Sequence, residues 1–147
     1  MVKNKSVFVS YSHRDERYRQ KMNVAFAQLR RSMRITIWHD RKIMPGQEWD
    51  QEIGEKLETA DIILLLVSPD FLASDYAYGR EMQRALERHK SGSAKVVPII
   101  LRPCDWQDSP LGVLQALPSE GRPVSSWANR DQAWLDVAQG LRRLMSN

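Results

Sequence analysis

One cysteine, Cys104, in 147 residues excludes an internal disulfide, and it forms no zinc-spaced set with the three histidines. No metal site is expected. The longest apolar run, Ile62 to Val67, is six residues, against the about 20 that a membrane-crossing helix needs. The opening Met-Val-Lys-Asn-Lys-Ser is basic, but no long apolar stretch or small-residue cleavage site follows it, so it does not read as a secretory signal. The expected setting is therefore a reducing cytoplasm, with no membrane partner. Neither a P-loop nor a GxGxxG occurs, which removes two common phosphate-cradling loops. Glycine and proline number seven each and form no tract or repeat, which excludes collagen-like and low-complexity chains.

What is present has the balance of a globular domain, 42% hydrophobic and 27% charged. One domain over residues 1–147 is expected, standing alone or cut from a longer multidomain protein. The net charge of +4 is unevenly spread. Residues 1–34 carry nine Lys/Arg against two acids (+7), residues 35–75 three against nine (−6), and the remainder is +3. No Lys/Arg stripe with interleaved aromatics runs through the chain, so nucleic acid is not an expected partner. Opposite-signed segments fit head-to-tail contacts between copies; the alternative is two solvated helix faces.

Hydrophobic periodicity alternates between strand and helix. Val7-Phe8-Val9-Ser10 reads as a buried strand, and Ser12 with Asp15 as a helix start, after which Tyr18, Met22, Ala25, Phe26 and Leu29 recur at helical spacing opposite Arg17, Lys21 and Arg31. Ile35 to Trp38 is a second strand. A polar loop with Pro45-Gly46 then leads to a helix striped by Trp49, Ile53 and Leu57. Ile62 to Val67, apolar throughout, suits the centre of a parallel sheet. Ser68-Pro69 ends it. A helix with Met82, Ala85 and Leu86 inward follows and exits at Gly92, and Val96 to Leu101 is a fourth strand whose Pro98 requires a bulge or a position without a ladder donor. A marginal fifth strand falls at Pro123-Val124-Ser125. The chain closes with a helix marked by Trp134, Val137, Ala138, Leu141 and Leu144, capped by Asn129.

This alternation implies an α/β fold of flavodoxin-like architecture, with about five parallel strands in order 2-1-3-4-5 and helices on both faces. Ligands of such sheets sit beyond the carboxyl ends of the strands at the switch point, here Ser10 to His13, Trp38 to Gly46 and Ser68 to Glu81. A phosphorelay receiver needs acids after strand one and an Asp ending strand three; Tyr11-Ser12-His13 and Ser68 occupy those places. A flavin site needs a Ser/Thr/Gly loop where Arg14-Asp15-Glu16 stands. His13 and His39 lie in candidate loops, but no serine or cysteine is placed to complete a triad with them.

Three segments occur together in order: Val7-Phe8-Val9-Ser10-Tyr11-Ser12, Asp40-Arg41-Lys42-Ile43-Met44-Pro45-Gly46-Gln47-Glu48-Trp49, and Leu65-Leu66-Val67-Ser68-Pro69-Asp70-Phe71-Leu72-Ala73-Ser74-Asp75-Tyr76 leading to Glu81. With Val97-Pro98-Ile99-Ile100 and Trp134, they make essentially the whole chain resemble a prokaryotic Toll/interleukin receptor (TIR) domain. The resemblance leaves two functional classes open, enzymes that cleave NAD+ and adaptors that act by TIR–TIR contact. In the enzymatic members a glutamate follows a Ser-x-Trp-like element; Ser74-Asp75-Tyr76 and Glu81 match it, with Tyr76 where Trp is common and Glu81 five residues further on. The resemblance thus implies Glu81 as catalytic residue, NAD+ as substrate with no cofactor, and substrate contacts from Tyr11, Ser12, His13, Trp38, Asp40, Pro45, Gly46, Ser74 and Tyr76. It also implies homotypic assembly through the Asp40 to Gly46 loop and a fused or adjacent sensor domain. The competing readings are an ordinary helix acid paired with Arg84 or Arg88 for Glu81, and core packing for Trp38. One carboxylate suffices chemically, because nicotinamide leaves as a neutral molecule and needs no acid.

Overall fold

The computed structural model describes residues 4–39, 49–74 and 79–146. Within them, β1 (Lys5–Ser10), β2 (Ile35–His39), β3 (Ile62–Val67) and β4 (Lys95–Ile100) form one parallel sheet in the order β2-β1-β3-β4. Side chains alternate across a strand, so Val7, Val9 and Tyr11 enter one layer and Phe8 the other. The first layer is closed by α1 (Glu16–Ala25), α2 (Ala27–Met33) and α6 (Arg130–Ser146), through Met22, Leu29 and Val137. The second is closed by α3 (Trp49–Thr59), α4 (Pro69–Ala73) and α5 (Arg80–Ser91), through Leu57, Phe71 and Met82. Central β3 is covered on both sides, which is why all six of its residues are apolar and buried.

The expected flavodoxin-like order holds for strands 2-1-3-4. The expected fifth strand at Pro123-Val124-Ser125 is instead a 3-10 turn over Val124–Ser126. The place beside β4 is taken by Leu117, which makes a single parallel bridge with Ile99. Pro118 and Pro123 lack ladder donors, and Gly121 turns the chain at φ 70°, so the pairing cannot run on. Pro98 needs no bulge. The Leu101 N–H donates to the Val67 carbonyl at 2.8 Å, so the odd-numbered amides of β4 face β3 and the even-numbered ones face outward. The Pro98 carbonyl accepts from the Leu117 N–H at 2.8 Å on that outer side, where a missing donor breaks no ladder.

The single helix expected from Tyr18 to Leu29 is broken at Phe26, whose backbone (φ −90°, ψ 3°) divides α1 from α2 while Met22, Phe26 and Leu29 all stay buried. The loop expected after Ser68 contains α4. Ser68 Oγ accepts from the Phe71 N–H at 3.1 Å and Pro69 takes the first turn, an N-cap arrangement the sequence carries openly. Asn129 caps α6 as expected, accepting from the Gln132 N–H at 3.2 Å. Gly92 ends α5 at φ 83°, a left-handed conformation that favours glycine.

Candidate functional site

Parallel connections oblige α3 and α5 to run in the same sense, from the carboxyl to the amino ends of the strands. Between them lies a groove of about 550 Å³ lined by Gly54, Glu55, Leu57 and Glu58 of α3 and Arg80, Glu81 and Arg84 of α5. That volume is in the ordinary range for small-ligand sites, about 300–1,000 Å³. The burial of Met82 and Ala85 turns the other side of α5 toward α3, where Glu81, Arg84 and Arg88 follow one another at helical spacing.

The two arginines have separate tasks. Arg84 grips Glu58 of α3 with two nitrogens, Nε to Oε2 at 2.5 Å and Nη2 to Oε1 at 2.8 Å, and its Nη1 stands 3.2 Å from Glu87. Hydrogen bonding from Arg84 holds the Glu58 carboxyl below the usual carboxylate range and raises the guanidinium in turn. Arg88 is buried. Its Nη1 donates to the Leu57 carbonyl at 2.6 Å and the Ala60 carbonyl at 2.8 Å, and its Nη2 to the Ser93 carbonyl at 2.7 Å. The first two bonds satisfy carbonyls that the end of α3 would otherwise leave without donors, and the third ties the chain beyond α5 to the same guanidinium. Neither arginine is therefore paired with Glu81. That carboxylate, half-buried in the first turn of α5, has no hydrogen bond or ion pair among the described residues.

The other expected site residues divide between the two layers. Trp38 is half-buried and stacks on Phe8, with centroids 5.2 Å apart and planes 16° from parallel, on the layer that carries Glu81. Tyr11 is buried in the opposite layer; its hydroxyl donates to Glu16, and its ring meets the edges of His13 and His39. The structure thus brings Trp38 and Glu81 to one side of the sheet and puts Tyr11 on the other. Ser12 Oγ accepts from the Arg14 N–H at 3.3 Å and starts the 3-10 turn His13–Asp15, with His13 exposed. The Ser74 hydroxyl donates to the Phe71 carbonyl at 2.6 Å and closes α4. Asp40, Pro45, Gly46 and Tyr76 lie outside the described residues.

A polar cluster that the sequence reading missed joins three strand ends. Asp15, 1% exposed, accepts from the Ser68 hydroxyl at 2.5 Å and from Arg102 Nη2 at 3.0 Å; the same nitrogen reaches Asp70 at 2.6 Å. It ties the turn after β1 to the start of α4 and to the exit from β4. The one available signal is that Asp15, Ser68 and Arg102 each follow a strand closely in an otherwise apolar neighbourhood. On the α1 side, Arg17, Lys21 and Arg31 are exposed as expected, and Arg17 and Lys21 share a groove of about 370 Å³ with Arg130 of α6. Among the described residues no three His, Cys, Asp or Glu side chains gather as a metal-binding set, and no helix is long and apolar enough to cross a membrane.

A family profile described as a TIR domain matches residues 7–133. A protein of Sinorhizobium fredii (strain NBRC 101917 / NGR234), y4lF, described as uncharacterized, is 51% identical over 137 residues, or 93% of this chain; the chain spans 42% of that protein's length. Among solved structures, the TIR domain of the Toll-related receptor TRR-2 from Hydra magnipapillata superposes with a TM-score of 0.61 at 20% identity, covering 96% of this chain and 98% of that one. That likeness is one of fold. The TIR domains of the activated Roq1 resistosome, described as directly recognizing the pathogen effector XopQ, give a TM-score of 0.48 at 15% identity, over 92% of this chain and 84% of that one.

Proposed function

The chain belongs to the TIR domain family, and from that premise we propose that it cleaves the nicotinamide–ribose bond of NAD+ when assembled with other copies. The observation that carries the reading is the half-buried Glu81 carboxylate in the α3–α5 groove, which has no hydrogen bond or ion pair among the described residues, with Arg84 and Arg88 committed elsewhere. An acid kept only for helix stability gains by pairing with a base three or four residues away. Among the described residues Glu81 makes no such pair.

In this reading Glu81 hydrogen-bonds the ribose hydroxyls and sets negative charge beside the sugar. The bond from C1′ to the pyridinium nitrogen breaks, its electron pair returns to the ring, and neutral nicotinamide departs. The oxocarbenium-like ribose gains the stabilisation of a fixed carboxylate at the moment its charge develops. Water then adds at C1′ and loses a proton, giving ADP-ribose; attack by an atom of the same nucleotide gives a cyclic product. Trp38 supplies a ring face on the same side of the sheet. Assembly draws on the charge split, the basic α1–α2 face of one copy meeting the Asp40 to Glu48 loop of the net-acidic residues 35–75 of the next, and the setting is cytoplasmic signalling of an immune or stress type under a fused or adjacent sensor.

The test is to incubate concentrated protein with NAD+ and separate nicotinamide, ADP-ribose and cyclic products by chromatography. Glu81→Gln is expected to lower turnover by about 10²–10³-fold, the usual effect of removing one preorganised charge-stabilising group. Its thermal midpoint should stay within about 3 °C, because no partner is lost. Turnover retained in Glu81→Gln removes the catalytic assignment. No turnover in the wild type at any concentration leaves the adaptor role, which the charge split serves without chemistry.

A further inference from the structure

We propose that Glu58 is a positioning residue that keeps Arg84 away from Glu81, so that the carboxylate remains free to face a cationic substrate. The proposal rests on the reading of Glu81 as the catalytic carboxylate. Glu81 and Arg84 stand three apart on α5, a spacing at which helical acids and bases pair, and both line the same groove. Left to α5 alone, Arg84 would have two carboxylates within reach, Glu81 one turn before it and Glu87 one turn after. Glu58 enters that competition from α3 and takes Nε and Nη2 together, the bidentate fork that fits guanidinium to carboxylate better than a single contact does. Glu87 takes Nη1, so all three nitrogens are engaged by acids other than Glu81.

Among the described residues, the charged groups around Arg84 are Glu55 and Glu58 on α3 and Arg80, Glu81, Glu87 and Arg88 on α5. Arg88 is spent on backbone carbonyls, and Arg80 is adjacent to Glu81 in sequence, a spacing at which helical side chains do not face each other. Among the described residues Arg84 is thus the cation best placed to neutralise Glu81, and Glu58 is the group that holds it elsewhere. Both members of the pair are about half exposed, 45% and 47% of the side chain, so the contact does little for the stability of the fold. Its removal should therefore be read in activity and not in melting.

The experiment compares Glu58→Gln and Glu58→Gln/Glu87→Gln, each with and without Arg84→Gln, in NAD+ cleavage at matched protein concentration and in thermal melting, and adds a crystal structure of Glu58→Gln/Glu87→Gln. Freed Arg84 is expected to lower kcat/KM by roughly two- to fivefold, the population change that a weak helical ion pair can impose, with midpoints within about 3 °C. Adding Arg84→Gln should return the rate to that of the wild type, a reversal that loss of structure cannot produce. In the crystal structure the Arg84 guanidinium should contact the Glu81 carboxylate. A rate that does not fall, a fall that Arg84→Gln does not reverse, or an Arg84 that stays off Glu81 overturns the proposal. If the wild type does not cleave NAD+ at all, the catalytic reading fails, and the crystal structure alone decides whether Glu58 holds Arg84 away.

Discussion

Replacing Arg88 by methionine tests the clip that joins α5 to the end of α3. The side chain is 7% exposed, and methionine preserves most of its apolar stem. What it loses is the donor set for the carbonyls of Leu57, Ala60 and Ser93, at 2.6, 2.8 and 2.7 Å. A hydrogen bond from a charged donor contributes about 1.5–3 kcal/mol, and three of them on one side chain are not additive. Relief of the buried guanidinium's desolvation offsets part of the loss. A net cost of about 3 kcal/mol follows, and at about 2–4 °C per kcal/mol for a domain of this size the midpoint should fall by about 6–12 °C. Arg88→Lys should recover less than half of that, since one ammonium cannot span both sides of the clip. Scanning calorimetry reads the midpoint, and hydrogen exchange should show the opening concentrated at the end of α3 and at Ser93. A fall of less than 2 °C, or exchange spread evenly over the sheet, would refute the view that Arg88 bears this junction.

Trp38→Ala should weaken NAD+ cleavage more than Trp38→Phe, because the phenyl ring can still lie against Phe8 and offer a face to the substrate; equal loss of folding in both variants would make Trp38 a plug of the sheet end and nothing more. Self-association should be weak and salt-sensitive. Specific activity is expected to rise with protein concentration and fall as salt is added, since about 0.15 M salt already shortens the reach of exposed charges to about 8 Å; a flat response over a hundredfold range would show that one chain holds a complete site. Burial raises the Cys104 thiol above the ordinary range, so alkylation at neutral pH should run slower than for glutathione and accelerate as pH rises past the usual thiol value. Mass spectrometry of iodoacetamide-treated protein reads this directly, and reaction as fast as glutathione at pH 7 would contradict it.

The strands of this chain announce themselves locally. Val7 to Ser10, Ile35 to Trp38, Ile62 to Val67 and Val96 to Leu101 are β-branched or apolar runs whose burial depends on little beyond the run itself, and all four become strands of the parallel sheet. Ser12, Gly92 and Asn129 mark helix ends because a cap acts within three residues of itself. Glu81 was legible as a candidate through its motif. Whether it was a free carboxylate or half of an ion pair was not, because the answer lies with Glu58 and the Leu57 carbonyl, 26 and 31 residues from the arginines they engage. Asp15 found Ser68 and Arg102 across 53 and 87 residues, a junction that no periodicity encodes. The fifth strand failed for a related reason: Val124 is apolar and buried, but pairing also needs donors in register along an edge, and Pro118 and Pro123 withhold them. Burial pattern is a property of a segment and can be read from it. The choice of partner for a charge belongs to whichever segments the fold brings within about 3 Å of one another, and only the assembled sheet and helices determine that.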